Sequence, residues 1–81
     1  GGIEAQAHQV MKNIQNILAA CQMDFSNVVK TTIFLTDLKN FAVVNEIYGS
    51  YFTQEPPARS CVEVSNLPKG ALIEIEVIAH R

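Results

Sequence analysis

Between Ile3 and Cys21 the apolar residues Ile3, Ala7, Val10, Met11, Ile14, Ile17, Leu18 and Cys21 recur every three or four positions, while Gln6, Gln9, Lys12, Asn13, Gln15 and Asn16 cover the opposite side. That spacing traces one stripe of an amphipathic helix. Asp24 and Ser26 then mark a short polar connection. Val28 to Thr36, VVKTTIFLT, is a β-branched run with no helical stripe and predicts a buried strand. Asp37 and Asn40 supply helix-start chemistry ahead of a second stripe, Phe41, Val44, Ile47, Tyr48, Tyr51 and Phe52, with Asn45 on its margin. Thr53 to Pro57 breaks that helix, Ser60 to Val64 returns as a strand, and Asn66 to Gly70 turns the chain through Pro68 and Gly70. Ala71 to His80, ALIEIEVIAH, is the last predicted strand.

The order is therefore helix-strand-helix-strand-strand, an α+β arrangement. Its central strand, helix and strand form a βαβ unit whose two strands should run parallel. In the last strand Ile73, Ile75, Val77 and Ala79 fall on one face, and Leu72, Glu74, Glu76, Ile78 and His80 on the other. A wholly apolar face packs on helices. The mixed face suits a pocket or an interface, and it equally suits two solvated glutamates on an open sheet.

Composition narrows the setting. The 81 residues make one domain, and a chain this short buries only about 60–65% of its unfolded surface, which favours self-association. With 48% hydrophobic and 17% charged residues, polar surface is too scarce to cover every face. A net charge of −2 with scattered lysines argues against a nucleic-acid surface. Cys21 and Cys61 lie on different elements without CxxC spacing, so they read as free thiols in a reducing compartment, with no metal site among them. His8, on the margin of the first stripe, has no second ligand at helical spacing and reads as a surface histidine. No stretch is long enough to span a bilayer. The Gly-Gly start without an initiator Met leads to the expectation of a processed, truncated or engineered N-terminus.

Candidate chemistry concentrates around Arg59. It follows Pro56, Pro57 and Ala58, so its guanidinium is offered from a stiff approach into a strand. A planar guanidinium fork can hold both oxygens of a carboxylate at once. Arg59, Cys61 and Glu63 share one face of their strand. Two roles fit Arg59: an anion clamp, or a structural ion pair with one of the strand glutamates. Cys61 as a nucleophile lacks any histidine at a recognisable spacing and reads better as a small residue that lets a ligand approach the backbone.

The segments PPARSCVEVSNLPKGALIEIEVIAHR, VVKTTIFLTDLKNFAVVNEIYGSYF and AQAHQVMKNIQNIL together resemble the Rid family of reactive-intermediate (enamine/imine) deaminases, over essentially the whole chain. The resemblance implies a chorismate-mutase-like mixed β-sheet with two helices on one face, assembled as a homotrimer with ligand clefts between subunits. It implies hydrolysis of 2-aminoacrylate- and 2-iminopropionate-type enamines and imines to 2-oxo acids and ammonia, without metal or organic cofactor. By position, Arg59 matches the arginine that grips the substrate carboxylate and Glu74 the glutamate that places the attacking water. Cys61 matches the position whose backbone borders the substrate, and Asn45 a polar residue near the cleft. A cytoplasmic location is implied, or a mitochondrial one in a eukaryote. Members of this family carry N-terminal strands before the first helix, so residues 1–81 are expected to be one N-terminally truncated Rid-type domain whose last strand pairs with something outside this stretch. Two other readings stand beside the deaminase: a non-catalytic trimeric binder of small carboxylates such as 2-oxo acids, and a ribonuclease or translation inhibitor, which the acidic balance disfavours.

Overall fold

The computed structural model describes residues 2–52 and 56–81. It contains helix α1 (Ile3–Ala20), strand β1 (Val28–Leu35), helix α2 (Phe41–Ser50), strand β2 (Ala58–Glu63) and strand β3 (Ile73–Ala79). The α+β class and the element order agree with the sequence reading. The boundaries shift for local reasons. Helix α2 stops at Ser50, short of Phe52, because the Tyr51 and Phe52 N–H groups bond to the carbonyls of Tyr48 and Gly49, three residues back, and tighten the last turn. Strand β2 begins at Ala58, earlier than Ser60, because Ala58 and Arg59 already pair with Lys30 and Thr31 of β1. Strand β3 begins only at Ile73. Before it, Pro68–Gly70 makes a single 3-10 turn in which Lys69 and Gly70 have φ of 58° and 69°. Gly70 meets that requirement without a steric penalty.

The sheet has the order β2-β1-β3, with β1 parallel to β2 and antiparallel to β3. Because side chains alternate along a strand, the register sorts every residue to one side. Thr31, Ile33 and Leu35 of β1 lie beside Arg59, Cys61 and Glu63 of β2 and beside Val77, Ile75 and Ile73 of β3. On this side the core forms. Ile33, Leu35, Ile73 and Ile75 pack with Ala7, Met11, Ile14 and Leu18 of α1 and with Val44 and Tyr48 of α2. Each fully buried aliphatic side chain contributes about 1.5–3 kcal/mol relative to exposure. The apolar face of β3 thus meets the helices, as its alternation predicts.

The other side of the sheet carries Thr32 and Phe34 with Ser60, Val62, Glu74, Glu76 and Ile78. Among the described residues no helix covers it, and Val62 and Ile78 remain 43% and 58% exposed. Helix α1 also lacks the features of a membrane span: no helix among the described residues is long and apolar enough to cross a bilayer.

Side-chain hydrogen bonds fasten the ends of these elements. Gln6 Oε1 accepts from the Leu72 N–H at 2.8 Å, which docks α1 on the entry to β3. Glu63 Oε1 accepts from the Leu38 N–H at 3.0 Å and ties the end of β2 to the turn that precedes α2. Asp24 and Asn27 make a reciprocal capping box around the short turn before β1.

Candidate functional site

Strand β2 delivers Arg59 to the helix side of the sheet at its outer edge, directly beside Thr31. Helix α2 crosses the same region with Phe41, Asn45 and Tyr48, whose i, i+4, i+7 spacing puts them on one helical face. These residues converge on one group. The Arg59 guanidinium carbon lies 5.4 Å from the Phe41 ring centroid and 5.3 Å from that of Tyr48, both within cation–π range. Arg59 also donates through Nη1 to Asn45 Oδ1. With Gly49, Pro56 and Pro57, the residues Asn45, Tyr48 and Arg59 line a cleft of about 440 Å³. Arg59 is exposed and faces it.

Tyr48 sits deeper, at 1% exposure, and its hydroxyl donates to Thr31 Oγ1 at 3.0 Å. Burial pushes its phenol above the ordinary value, while the Thr31 hydrogen bond and the Arg59 cation pull the other way. Cys61, next on the same face of β2 and half-buried, has its thiol pushed up by burial, again partly offset by Arg59. A nucleophilic cysteine needs the opposite shift. Cys61 and Cys21 are both free thiols, as their spacing predicts. Among the described residues, no three His, Cys, Asp or Glu side chains cluster as a metal site would need.

The four positions singled out in the sequence divide unevenly. Arg59 and Asn45 touch, and Cys61 follows Arg59 on the same face of β2. Glu74 does not join them. It pairs with Phe34 of β1 and, half-buried, projects from the other side of the sheet, as does Glu76 beside Thr32. Within one chain, then, Arg59 is held by an amide and two rings rather than by a strand glutamate. Glu63, which shares its face, is engaged by the Leu38 N–H. Phe41, Tyr48 and Thr31 are the residues that sequence reasoning assigned to core stripes and strand. The available signal was the Phe41-Asn45-Tyr48 spacing, which sets one polar group between two aromatic ones on a helical face.

The family described as "Endoribonuclease L-PSP" matches residues 1–81. The chain belongs to the Rid/L-PSP family. "Protein DfrA" of Myxococcus xanthus is 58% identical over 79 residues, covering 98% of this chain and 60% of that protein. The rat "2-iminobutanoate/2-iminopropanoate deaminase" is 52% identical over 79 residues, covering 98% of this chain and 58% of that one. The crystal structure of RidA from the Antarctic bacterium Psychrobacter superposes with a TM-score of 0.96 at 44% identity, covering 99% of this chain and 65% of that one. The chain thus has the Rid/L-PSP fold and spans about three-fifths of the length of the curated relatives it matches.

Proposed function

We propose that this Rid/L-PSP chain carries the carboxylate-binding part of an imine deaminase. The substrate class is a 2-imino acid, R–C(=NH)–COO⁻. Water adds to the C=N carbon and ammonia leaves, giving R–CO–COO⁻ and NH₃. The observation that carries this reading is the exposed Arg59 guanidinium, held in the cleft by Asn45, Phe41 and Tyr48. It presents a fork suited to a carboxylate. The naming of the rat relative for iminobutanoate and iminopropanoate, both carboxylates, supports the same class. An imine is already electrophilic, so positioning can supply most of the rate.

Glu74 is the proposed group that orients the water. Since it faces away from Arg59 within one chain, the reading requires that Glu74 of a second copy face the Arg59 cleft. The open side of the sheet, with Val62 and Ile78 exposed beside Glu74 and Glu76, offers an apolar surface for such self-association, and a homotrimer with clefts between subunits is the arrangement proposed. No cofactor is assigned a role. The Cys61 backbone borders the bound substrate in this reading.

The separation of Arg59 from Glu74 also favours a second reading, a binder of small carboxylates that uses Arg59 alone. A ribonuclease role finds less support: among the described residues the cleft presents a single arginine, and the chain as a whole carries a net charge of −2.

The deciding experiment follows 2-oxo acid release from an imine generated in situ, comparing the chain with Arg59→Ala and Glu74→Gln. The deaminase reading expects Arg59→Ala to lose both pyruvate binding and acceleration, and Glu74→Gln to lose acceleration by about 10²-fold or more while binding persists. Full turnover by Glu74→Gln would remove Glu74 from the chemistry. Binding without acceleration by the parent chain would support the binder.

A further inference from the structure

An exposed arginine has several rotatable bonds, and gripping an anion costs the freedom of all of them. Arg59 is exposed, yet four neighbouring side chains define where its guanidinium sits. Thr31, its cross-strand neighbour on β1, is fully buried and accepts the Tyr48 hydroxyl hydrogen bond at 3.0 Å. That bond fixes the Tyr48 ring, since swinging the ring out would strand a buried hydroxyl. The fixed ring lies 5.3 Å from the guanidinium carbon, and Phe41 adds a second ring at 5.4 Å. Asn45 occupies one Nη1 donor.

The geometry points to Tyr48 as a positioning residue of the carboxylate clamp: tethered to Thr31, its ring holds the Arg59 guanidinium, with Phe41 and Asn45, in the place where a carboxylate is gripped. This role rests on the reading of Arg59 as that clamp. The arrangement is chemically consistent because rings and carboxylate use different parts of the cation. A guanidinium offers its flat face to an aromatic ring and its in-plane N–H groups to oxygens. Of five such N–H groups, Asn45 takes one. Holding the cation before the ligand arrives strengthens binding by removing an ordering cost rather than by adding a contact. The same logic makes lysine a poor substitute, because an ammonium has no flat face to stack and no fork.

The test is a titration of pyruvate into the 15N-labelled chain, following the Arg59 Nε–H resonance, with Arg59→Ala, Arg59→Lys, Tyr48→Leu, Tyr48→Phe and Phe41→Leu alongside. Tyr48→Leu should weaken pyruvate about tenfold and Phe41→Leu roughly threefold, and both should move the free-state Nε–H resonance as the ring current is lost. Tyr48→Phe, which keeps the ring but frees it from Thr31, should weaken pyruvate about threefold, less than Tyr48→Leu does. Where turnover is measurable, KM should rise more than kcat falls. Tyr48→Leu that binds pyruvate within twofold of the parent, with an unmoved Nε–H resonance, would overturn the role. If Tyr48→Leu does not fold by circular dichroism, the same two readouts on Tyr48→Met, which fills more of the core volume without a ring, decide it. Loss of binding in Arg59→Ala alone would leave the clamp standing and remove only the positioning role. Absent binding by the parent, or unchanged binding by Arg59→Ala, would overturn the clamp and this role together.

Discussion

The two sides of the sheet are built from the same three strands yet do different work. On the helix side, Thr31, Ile33 and Leu35 continue sideways into Ile73, Ile75 and Val77 in one direction and into Arg59, Cys61 and Glu63 in the other. Apolar burial therefore grades into a polar edge within one face, and Arg59 sits where the grading occurs. The open side mixes Phe34, Val62 and Ile78 with Glu74 and Glu76 and has no helix over it among the described residues. A single covered face supplies the stability of the unit and the seat of the arginine. The uncovered face supplies a surface whose use depends on what meets it.

The sharpest way to break that contrast is to empty the covered side. Ile33 is fully buried at the centre of the sheet. Ile33→Ala should cost about 2–5 kcal/mol in urea unfolding, from lost burial plus the cavity left behind. A cost below about 1 kcal/mol would mean that the helix side is far looser than its packing implies.

Next in size is the hydroxyl that joins core and site. Tyr48→Phe leaves Thr31 Oγ1 buried without its partner and should cost about 1–3 kcal/mol. The pH dependence supplies a second check. The Tyr48 phenol is raised in the folded state, chiefly by burial. Its contribution is therefore present below the unfolded value of about 10 and is lost as pH climbs through the raised folded value. The parent should thus lose melting temperature more steeply above pH ~10 than Tyr48→Phe does. Parallel slopes would remove the phenol from the alkaline transition.

A smaller difference separates the two thiols. Cys61, half-buried with its thiol pushed up, should react with iodoacetamide more slowly at neutral pH than exposed Cys21. Cys61 labelling first in a mass-spectrometric time course would contradict its placement on the covered side.

The smallest effect belongs to the open face. Val62→Thr and Ile78→Thr should change the stability of dilute, unassociated chains by no more than about 0.5 kcal/mol. The same variants should shift the association equilibrium in sedimentation if self-association uses this surface. A large stability loss in unassociated chains would show that the open side is as much a core as the other.

How much of this was legible in sequence follows from the range of the interactions. Of the eight-residue α1 stripe, a local periodicity, Ala7, Met11, Ile14 and Leu18 are buried, whereas Ile17, 65% exposed, and Cys21 fall outside the covered arc of the helix. The alternation in β3 likewise picked out Ile73 and Ile75 as buried. Boundaries were less legible because they depend on partners. Ala58 joins a strand because Lys30 lies opposite, and Ile73 begins one only after Lys69 and Gly70 have turned the chain. Thr53 to Pro57, read as a helix break, lies partly outside the described residues.

At the site, sequence identified Arg59 as a stiffly presented cation, and the resemblance added Asn45, Cys61 and Glu74. Neither could say that Arg59 and Glu74 occupy opposite sides of one sheet. That depends on register, because pairing one residue further along would move a strand's whole set of side chains to the other face. The Phe41-Asn45-Tyr48 spacing sets two rings and an amide on one helical face, but that Tyr48 meets Thr31 and Arg59 depends on where α2 lies against β1 and β2. The sequence by itself determined which residues seek burial and where the chain turns, because periodicity and turn chemistry act over a few residues. The tertiary structure alone decided which face each strand shows and which rings meet the guanidinium, because those are set by contacts between residues 11 to 46 positions apart, from Arg59 and Tyr48 to Thr31 and Val77.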